Sequence, residues 1–332
     1  MDREKFIRPS ISTRVYEKNL LTTNNIQRLV DSESLSEAVG SLNDTSYGSY
    51  LKNLDRDEDY EKALYEALKD SYQKISSISP DSDLVVFLEE KYNFHNLKVM
   101  VKELIQEKDY QKAYMDIGDI DIVNIRKELK SEKDHFDNFY LNSAKKALDL
   151  YEEEKDPQDI DLSLDRDFYE KLLIDANNLD YDSLINFTKD RIDLINLKSL
   201  LRIKGQDQSV ELLKKALIDG GFVEKNRLIE AFNLDISSLA NIFIKEDSYP
   251  YLKDALEEDD IYKAMQEIEL GIDNHLVDFA KNSKKVSYGP EVLLGYLISR
   301  EMEIKNLRII LVAKVNGLSR EFLEERLRNL YV

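Results

Sequence analysis

Residues 190–202 read DRIDLINLKSLLR, and the centre of this stretch, Asn196-Leu197-Lys198, has two counterparts elsewhere in the chain. These are Asn96-Leu97-Lys98 and Asn306-Leu307-Arg308. Apolar residues stand four positions before and four positions after each asparagine, which places each asparagine on an apolar helix face. Because a buried amide without a partner costs about 1–3 kcal/mol, we predict three equivalent hydrogen-bonding arrangements between packed helices. The basic residues that end the three motifs should face solvent or form ion pairs.

A second internal match supports a repeat. Residues 50–64 align with residues 251–265 without a gap, from Tyr-Leu-Lys at one end to Lys-Ala-Leu or Lys-Ala-Met at the other. Each segment carries an acidic cluster, Asp57-Glu58-Asp59 or Glu258-Asp259-Asp260, whereas the corresponding middle copy is degenerate. We predict three helical repeats, at 1–112, 113–221 and 222–332. Such repeats can close around a pseudo-threefold axis or stack as an open solenoid.

The composition favours an all-α fold. Only 10 of 332 residues are glycine and 5 are proline, while 42% are hydrophobic, so turns should be few and helices long. Apolar periodicity predicts helices at 84–105, 184–204, 207–218 and 291–314. Pattern breaks are expected at Pro80, Pro157, 220–221, Pro250 and 289–290. The short β-like segments 116–125 and 239–244 are assigned to no sheet.

Charge and cysteine content narrow the possible partners. The chain has 66 acidic and 47 basic side chains, a formal charge of −19, which disfavours nucleic acid and direct lipid insertion. The absence of cysteine fits a reducing, cytosolic compartment. We find no signal-peptide core at the start and no apolar run long enough to span a membrane. The acidic stretch 149–170 is interpreted as a solvated surface, with docking of a basic partner as the alternative.

No constellation for catalysis, cofactor binding or metal binding is found in the sequence. His95, His135 and His275 lie far apart, and none has a second histidine three or four positions away. Phosphate-binding glycine loops and the G-x-S-x-G elbow are absent. Two carboxylates converging in a pocket would be needed for a hydrolase, and most acids here lie in charged, exposed runs. We therefore expect a protein that is not an enzyme.

The three asparagine motifs, together with residues 14–21 (RVYEKNLL) and 311–331 (LVAKVNGLSREFLEERLRNLY), resemble the C subunit of prokaryotic V-type (A/V-type) ATP synthases. That family is the counterpart of the d subunit in eukaryotic vacuolar proton pumps. The resemblance covers essentially the whole chain.

This resemblance implies an all-helical funnel of three related subdomains without a reaction centre. The protein would lie at the cytoplasmic face of the membrane proteolipid ring, receive the central shaft, and couple rotation of the ring to the nucleotide-binding heads. The acidic clusters 57–59 and 258–260 are candidate docking surfaces for those partners. The alternative is a free-standing helical-repeat scaffold that binds a partner helix or peptide.

Overall fold

A computed structural model describes residues 3–130 and 136–331. These residues contain seventeen α-helices, four 3₁₀ turns and no β-strand, so the all-α prediction is confirmed for them. The helices are α1 Ile7–Glu17, α2 Thr23–Asp31, α3 Leu35–Gly40, α4 Gly48–Leu51, α5 Tyr60–Ile78, α6 Ser82–Gln106, α7 Ile122–Glu128, α8 Phe139–Glu154, α9 Pro157–Leu179, α10 Asp182–Gly205, α11 Val210–Ala216, α12 Lys225–Glu230, α13 Ile236–Phe243, α14 Lys253–Glu257, α15 Ile261–Ser283, α16 Pro290–Asn316 and α17 Arg320–Glu324.

The predicted helices agree with the observed ones. The periods at 84–105, 184–204 and 291–314 are the long helices α6, α10 and α16, and 207–218 contains the shorter α11. Both β-like segments are partly helical, since α7 begins at Ile122 within 116–125, and α13 covers 239–243 of the segment 239–244. Tertiary packing therefore overrides the weak strand propensity of these segments.

Two of the predicted breaks are the first residues of long helices. Pro157 is the first residue of α9, where its missing N–H costs nothing, and the Asp156 side chain caps the same end by accepting from the backbone N–H of Gln158 at 2.9 Å. Pro290 likewise opens α16. This helix ends at Asn316 and is capped by Gly317, whose φ of 62° lies in the left-handed region that glycine tolerates.

The chain divides into two compact units. The first, Val86–Ile272, holds two apolar cores. One surrounds the α6 residues Phe94, Leu97 and Met100, and the other surrounds α10 and extends to α15. Leucine predominates at the α10 positions of this core, as helical spacing predicts.

The second unit comprises Asp2–Val85 and Asp273–Val332. Its central element is α16, whose residues from Pro290 to Ile304 are nearly all buried. The helices α1, α3 and α5 pack against it. The repeat boundaries after residues 112 and 221 remain a prediction. In the described part of the chain, every helix is too short or too polar to cross a bilayer.

Candidate functional site

The asparagine at the centre of α10 forms a two-bond clamp on the backbone. Asn196 is fully buried, and its Nδ2 donates to the carbonyl oxygen of Ile218 at 2.9 Å. The backbone N–H of Ile218 donates back to Asn196 Oδ1 at 2.8 Å. One amide side chain thus satisfies both polar groups of a buried residue that lies beyond the end of α11. The clamp fixes this segment against α10.

The other two motifs form the same clamp. Asn96 donates to the carbonyl oxygen of Met115 at 2.8 Å and accepts from its N–H at 2.9 Å. Asn306 donates to the carbonyl oxygen of Arg328 at 3.0 Å and accepts from its N–H at 2.8 Å. In each case the receiving residue lies 19 or 22 positions downstream. Three equivalent clamps therefore exist, with one correction to the expectation, because the partners lie in connecting segments rather than in packed helices.

A second buried polar residue precedes each asparagine by three positions, and sequence reasoning missed it. Asn93 Oδ1 accepts from the backbone N–H groups of Asp119 and Ile120 at 3.1 and 3.2 Å. Asp193 accepts from Phe222 and Val223, both at 3.1 Å. Residues three positions apart lie on the same face of an α-helix, so this polar residue and the motif asparagine point the same way. The sequence signal that could have revealed this position is that all three motifs have a polar residue there.

In the third motif the equivalent residue is Glu303, which is buried in a polar network. The Tyr47 hydroxyl donates to Glu303 Oε1 at 2.7 Å, and the backbone N–H of Leu21 donates to Oε2. Arg300 forms a buried ion pair with the same carboxylate at 2.5 Å. Burial raises the pKa of Glu303, and the Arg300 charge opposes that shift. Removing either partner would leave a buried charge uncompensated.

Burial also dominates the electrostatics of Asp193. It raises the pKa of this carboxyl to about 7, although the two backbone N–H donors favour the charged form. The receiving turn contains Gly220, whose φ of 97° is left-handed, and Gly221, where a Cβ would lie 2.1 Å from Asp193 Oδ1. The predicted break at 220–221 is therefore a turn that approaches α10 closely enough to require glycine.

The leucines and basic residues of the three motifs occupy opposite environments. Leu97, Leu197 and Leu307 are fully buried. The three basic residues, two positions after each asparagine, pair with acids on α9, α15 and α5. The pairs are Lys98–Asp165 at 2.6 Å, Lys198–Glu269 at 2.8 Å and Arg308–Glu61 at 2.9 Å. Both partners of each pair are partly exposed, so every pair contributes at most about 1 kcal/mol.

The acidic clusters lie at the N-terminal ends of long helices. Residues 57–59 form the 3₁₀ turn that leads into α5, and residues 258–260 directly precede α15. Asp260 accepts from the N–H groups of Tyr262 and Lys263 at 2.8 and 3.0 Å, which caps α15. Asp59 instead pairs with Lys62 at 3.5 Å. The remaining acids of the two clusters are Asp57, Glu58, Glu258 and Asp259.

Many acids of the stretch 149–170 are engaged by this chain's own lysines. Asp161 pairs with Lys102 at 2.9 Å, and the nearly buried Asp167 pairs with Lys146 at 2.7 Å. Asp165 belongs to the motif pair described above. Because these acids already pair within the chain, the contacts favour the interpretation of the stretch as a solvated surface over a docking site for a basic partner.

The histidines do not converge in the described residues. His95 Nε2 lies 2.8 Å from the carbonyl oxygen of Ala113, and His275 is buried on α15. His135 lies outside the described residues. Throughout residues 3–130 and 136–331, no group of three His, Cys, Asp or Glu side chains is placed to hold a metal ion.

The helices and repeated clamps define an all-α scaffold whose buried polar groups hold the backbone. The chain belongs to the ATP synthase (C/AC39) subunit family, whose model matches residues 12–326. It is similar to the C subunit of the V-type sodium ATPase of Enterococcus hirae, with 24% identity over 316 residues that cover 95% of each chain. It is 27% identical to the C subunit of the A-type ATP synthase of Methanocaldococcus jannaschii, over 93% of this chain and 82% of the relative. The C subunit of the A-type ATP synthase of Desulfurococcus sp. is also 27% identical, over 96% of this chain and 89% of the relative.

Proposed function

We propose that this chain is a non-catalytic central-stalk subunit of a rotary V/A-type ATPase or ATP synthase. It joins the membrane proteolipid ring to the central shaft and transmits torque between them. Family membership supports the assignment to such a complex, since the similar proteins are named as C subunits of V-type and A-type enzymes. The repeated clamp at Asn96, Asn196 and Asn306 is the observation that carries the coupling role.

A torque-transmitting part must keep its connecting segments in register with its helices. Each clamp achieves this by holding a downstream backbone segment with two hydrogen bonds from a side chain inside an apolar core. Low-dielectric surroundings strengthen such bonds, and close-packed helices resist compression. The ion pairs beside the clamps add further cross-links between helices. Three like subdomains arranged as a funnel would use these clamps once in each copy.

The two acidic clusters are the proposed docking acids for ring or shaft. Asp260 is required for capping α15, and Asp59 pairs within the chain, so neither tests docking cleanly. Glu58 and Asp259 are both exposed, and they occupy like positions in the two matching segments. The variant Glu58→Lys, Asp259→Lys should weaken binding to a basic partner surface at low salt. Unchanged binding at low ionic strength would show that the acidic clusters are not part of the interface.

Reconstitution tests the coupling role directly. The complex is assembled with and without this chain, and ATP hydrolysis by the heads is measured together with ion pumping into proteoliposomes. We expect the complex without the chain to retain hydrolysis but to lose ion pumping, and addition of the chain to restore pumping. A free-standing scaffold would change neither quantity. Isolated chain that hydrolysed ATP would contradict the non-catalytic assignment.

A further inference from the structure

Helix α1 buries small polar residues and exposes aliphatic ones. Its small polar residues Ser10 and Thr13 are 1% and 0% exposed, whereas Ile7, Ile11 and Val15 are 40%, 63% and 54% exposed. The three aliphatic residues are spaced by four and so form one line along the helix. We call Ile7, Ile11 and Val15 the α1 stripe. A helix of a globular domain normally turns such a line toward the core.

The buried polar side chains of α1 have hydrogen-bond partners within the same unit. Ser10 accepts from the backbone N–H of Gly289 at 3.2 Å, and Thr13 donates to the carbonyl oxygen of Pro9 at 2.9 Å. These small residues let α1 pack closely on α16 while both hydroxyls are hydrogen-bonded. The packing inside this unit therefore leaves the α1 stripe exposed among the described residues. An aligned apolar strip on a surface marks an interaction site more often than scattered single residues do.

Basic residues border the α1 stripe. Arg8 and Lys18 are both exposed. Arg8 lies on α1 next to Ile7, Lys18 directly follows the helix, and neither forms an ion pair with a described residue. Residues 3–18 hold five basic and two acidic side chains in a chain whose formal charge is −19. Arg3 pairs with Glu291 and Arg14 with Glu17, so the positive charge that borders the stripe comes from Arg8 and Lys18. Such a border suits an apolar contact with acidic groups at its edge.

We propose that the α1 stripe is the docking surface for an apolar segment of another subunit of the same rotary complex, one whose edge carries carboxylates that meet Arg8 and Lys18. This proposal rests on the proposed function. A second copy of the chain fits poorly, because the basic residues Arg8 and Lys18 of one copy would then face those of the other across a two-fold contact. A bilayer also fits poorly, since the stripe has three aliphatic residues and lacks the aromatic anchors of interfacial helices.

The test measures binding of the full chain to the rotary complex assembled without it. The variants are Ile11→Asp, which places a charge in the middle of the stripe, and Arg8→Glu, which reverses the flanking charge. Ile244→Asp is the matched control, because Ile244 is similarly exposed, at 56%, and lies at the end of α13. Circular dichroism and thermal unfolding check that the exposed substitutions leave folding intact. Vesicles containing phosphatidylglycerol provide the membrane arm, and light scattering reports dimers.

We expect Ile11→Asp to weaken binding to the complex by about tenfold or more, Arg8→Glu to weaken it at low salt, and Ile244→Asp to bind as the unmodified chain does. Equal binding by Ile11→Asp and Ile244→Asp would overturn the proposal and leave the proposed function standing. Binding of the chain to vesicles, or a dimer lost in Ile11→Asp, would also overturn it. Failure of the unmodified chain to bind the complex would instead refute the proposed function itself.

Discussion

Removing the amide of Asn196 should destabilise the chain more than removing the amide of Asn96. In Asn196→Ala the N–H and carbonyl oxygen of Ile218 lose both clamp partners. Asn196 is 0% exposed and Ile218 is 3% exposed, so water cannot readily replace the amide. Each buried backbone group left without a partner costs about 1–3 kcal/mol, and we expect a total loss of about 2–6 kcal/mol. That is a large part of the roughly 5–15 kcal/mol typical of a domain.

The same truncation at Asn96 should cost less. Asn96 is 6% exposed, and its receiving residue Met115 is only half-buried, so solvent reaches the freed backbone groups. We expect about 1–3 kcal/mol for Asn96→Ala. Asn316 provides the matched control, because it is exposed and its Nδ2 donates to the carbonyl oxygen of Val312 within the same helix at 2.8 Å. Asn316→Ala should change stability by less than about 0.5 kcal/mol.

Hydrogen exchange at single amides is the decisive assay. The N–H of Ile218 is protected through Asn196 Oδ1, so its exchange rate should rise by at least about thirtyfold in Asn196→Ala, which corresponds to about 2 kcal/mol of lost opening free energy. Urea unfolding measures the global loss in parallel. If Asn196→Ala matched Asn316→Ala in both measurements, the buried clamp would not contribute stability and the reasoning would fail.

Three further predictions concern charge and packing. The folded-state pKa of Asp193 is about 7, above its ordinary value of 3.8. The contribution of this carboxyl to stability is therefore largest below pH 3.8 and is lost as the pH rises through 7. Asp193→Asn should flatten the resulting decline in the urea midpoint between pH 4.5 and 8. A double-mutant cycle on Lys198 and Glu269 should give at most about 1 kcal/mol, and a larger coupling energy would show that the pair is shielded from solvent. Gly271→Ala should lower the thermal midpoint by several degrees, since a Cβ would lie 1.9 Å from the carbonyl oxygen of Tyr251, and an unchanged midpoint would contradict that contact.

The sequence predicts the helices and the clamping residues well because both leave periodic signals. Apolar spacing marks α6, α10 and α16, and the predicted breaks at Pro80 and 289–290 mark the starts of α6 and α16. The motif asparagines stand out because an amide in an apolar stripe demands a partner. Asp193 and Asn93 were overlooked since the equivalent positions carry different side-chain types, although each is polar and each receives backbone N–H groups.

Partners distant in sequence could not be predicted in the same way. Met115, Ile218 and Arg328 share no side-chain property, because the clamp contacts only their main-chain atoms. The acids that meet the motif cations were equally indistinct among 66 carboxylates. Their positions follow from how the helices pack, and local propensity contains no information on that choice.

The main-chain character of the clamp has a consequence for the predicted repeats. The clamp binds only peptide atoms, so it imposes no requirement on the side chain of the receiving residue. The receiving residues are accordingly a methionine, an isoleucine and an arginine, Met115, Ile218 and Arg328. The predicted repeats can therefore differ along their loops and still form the same two hydrogen bonds. The three helix asparagines, rather than overall similarity, are the positions at which the predicted repeats are best compared.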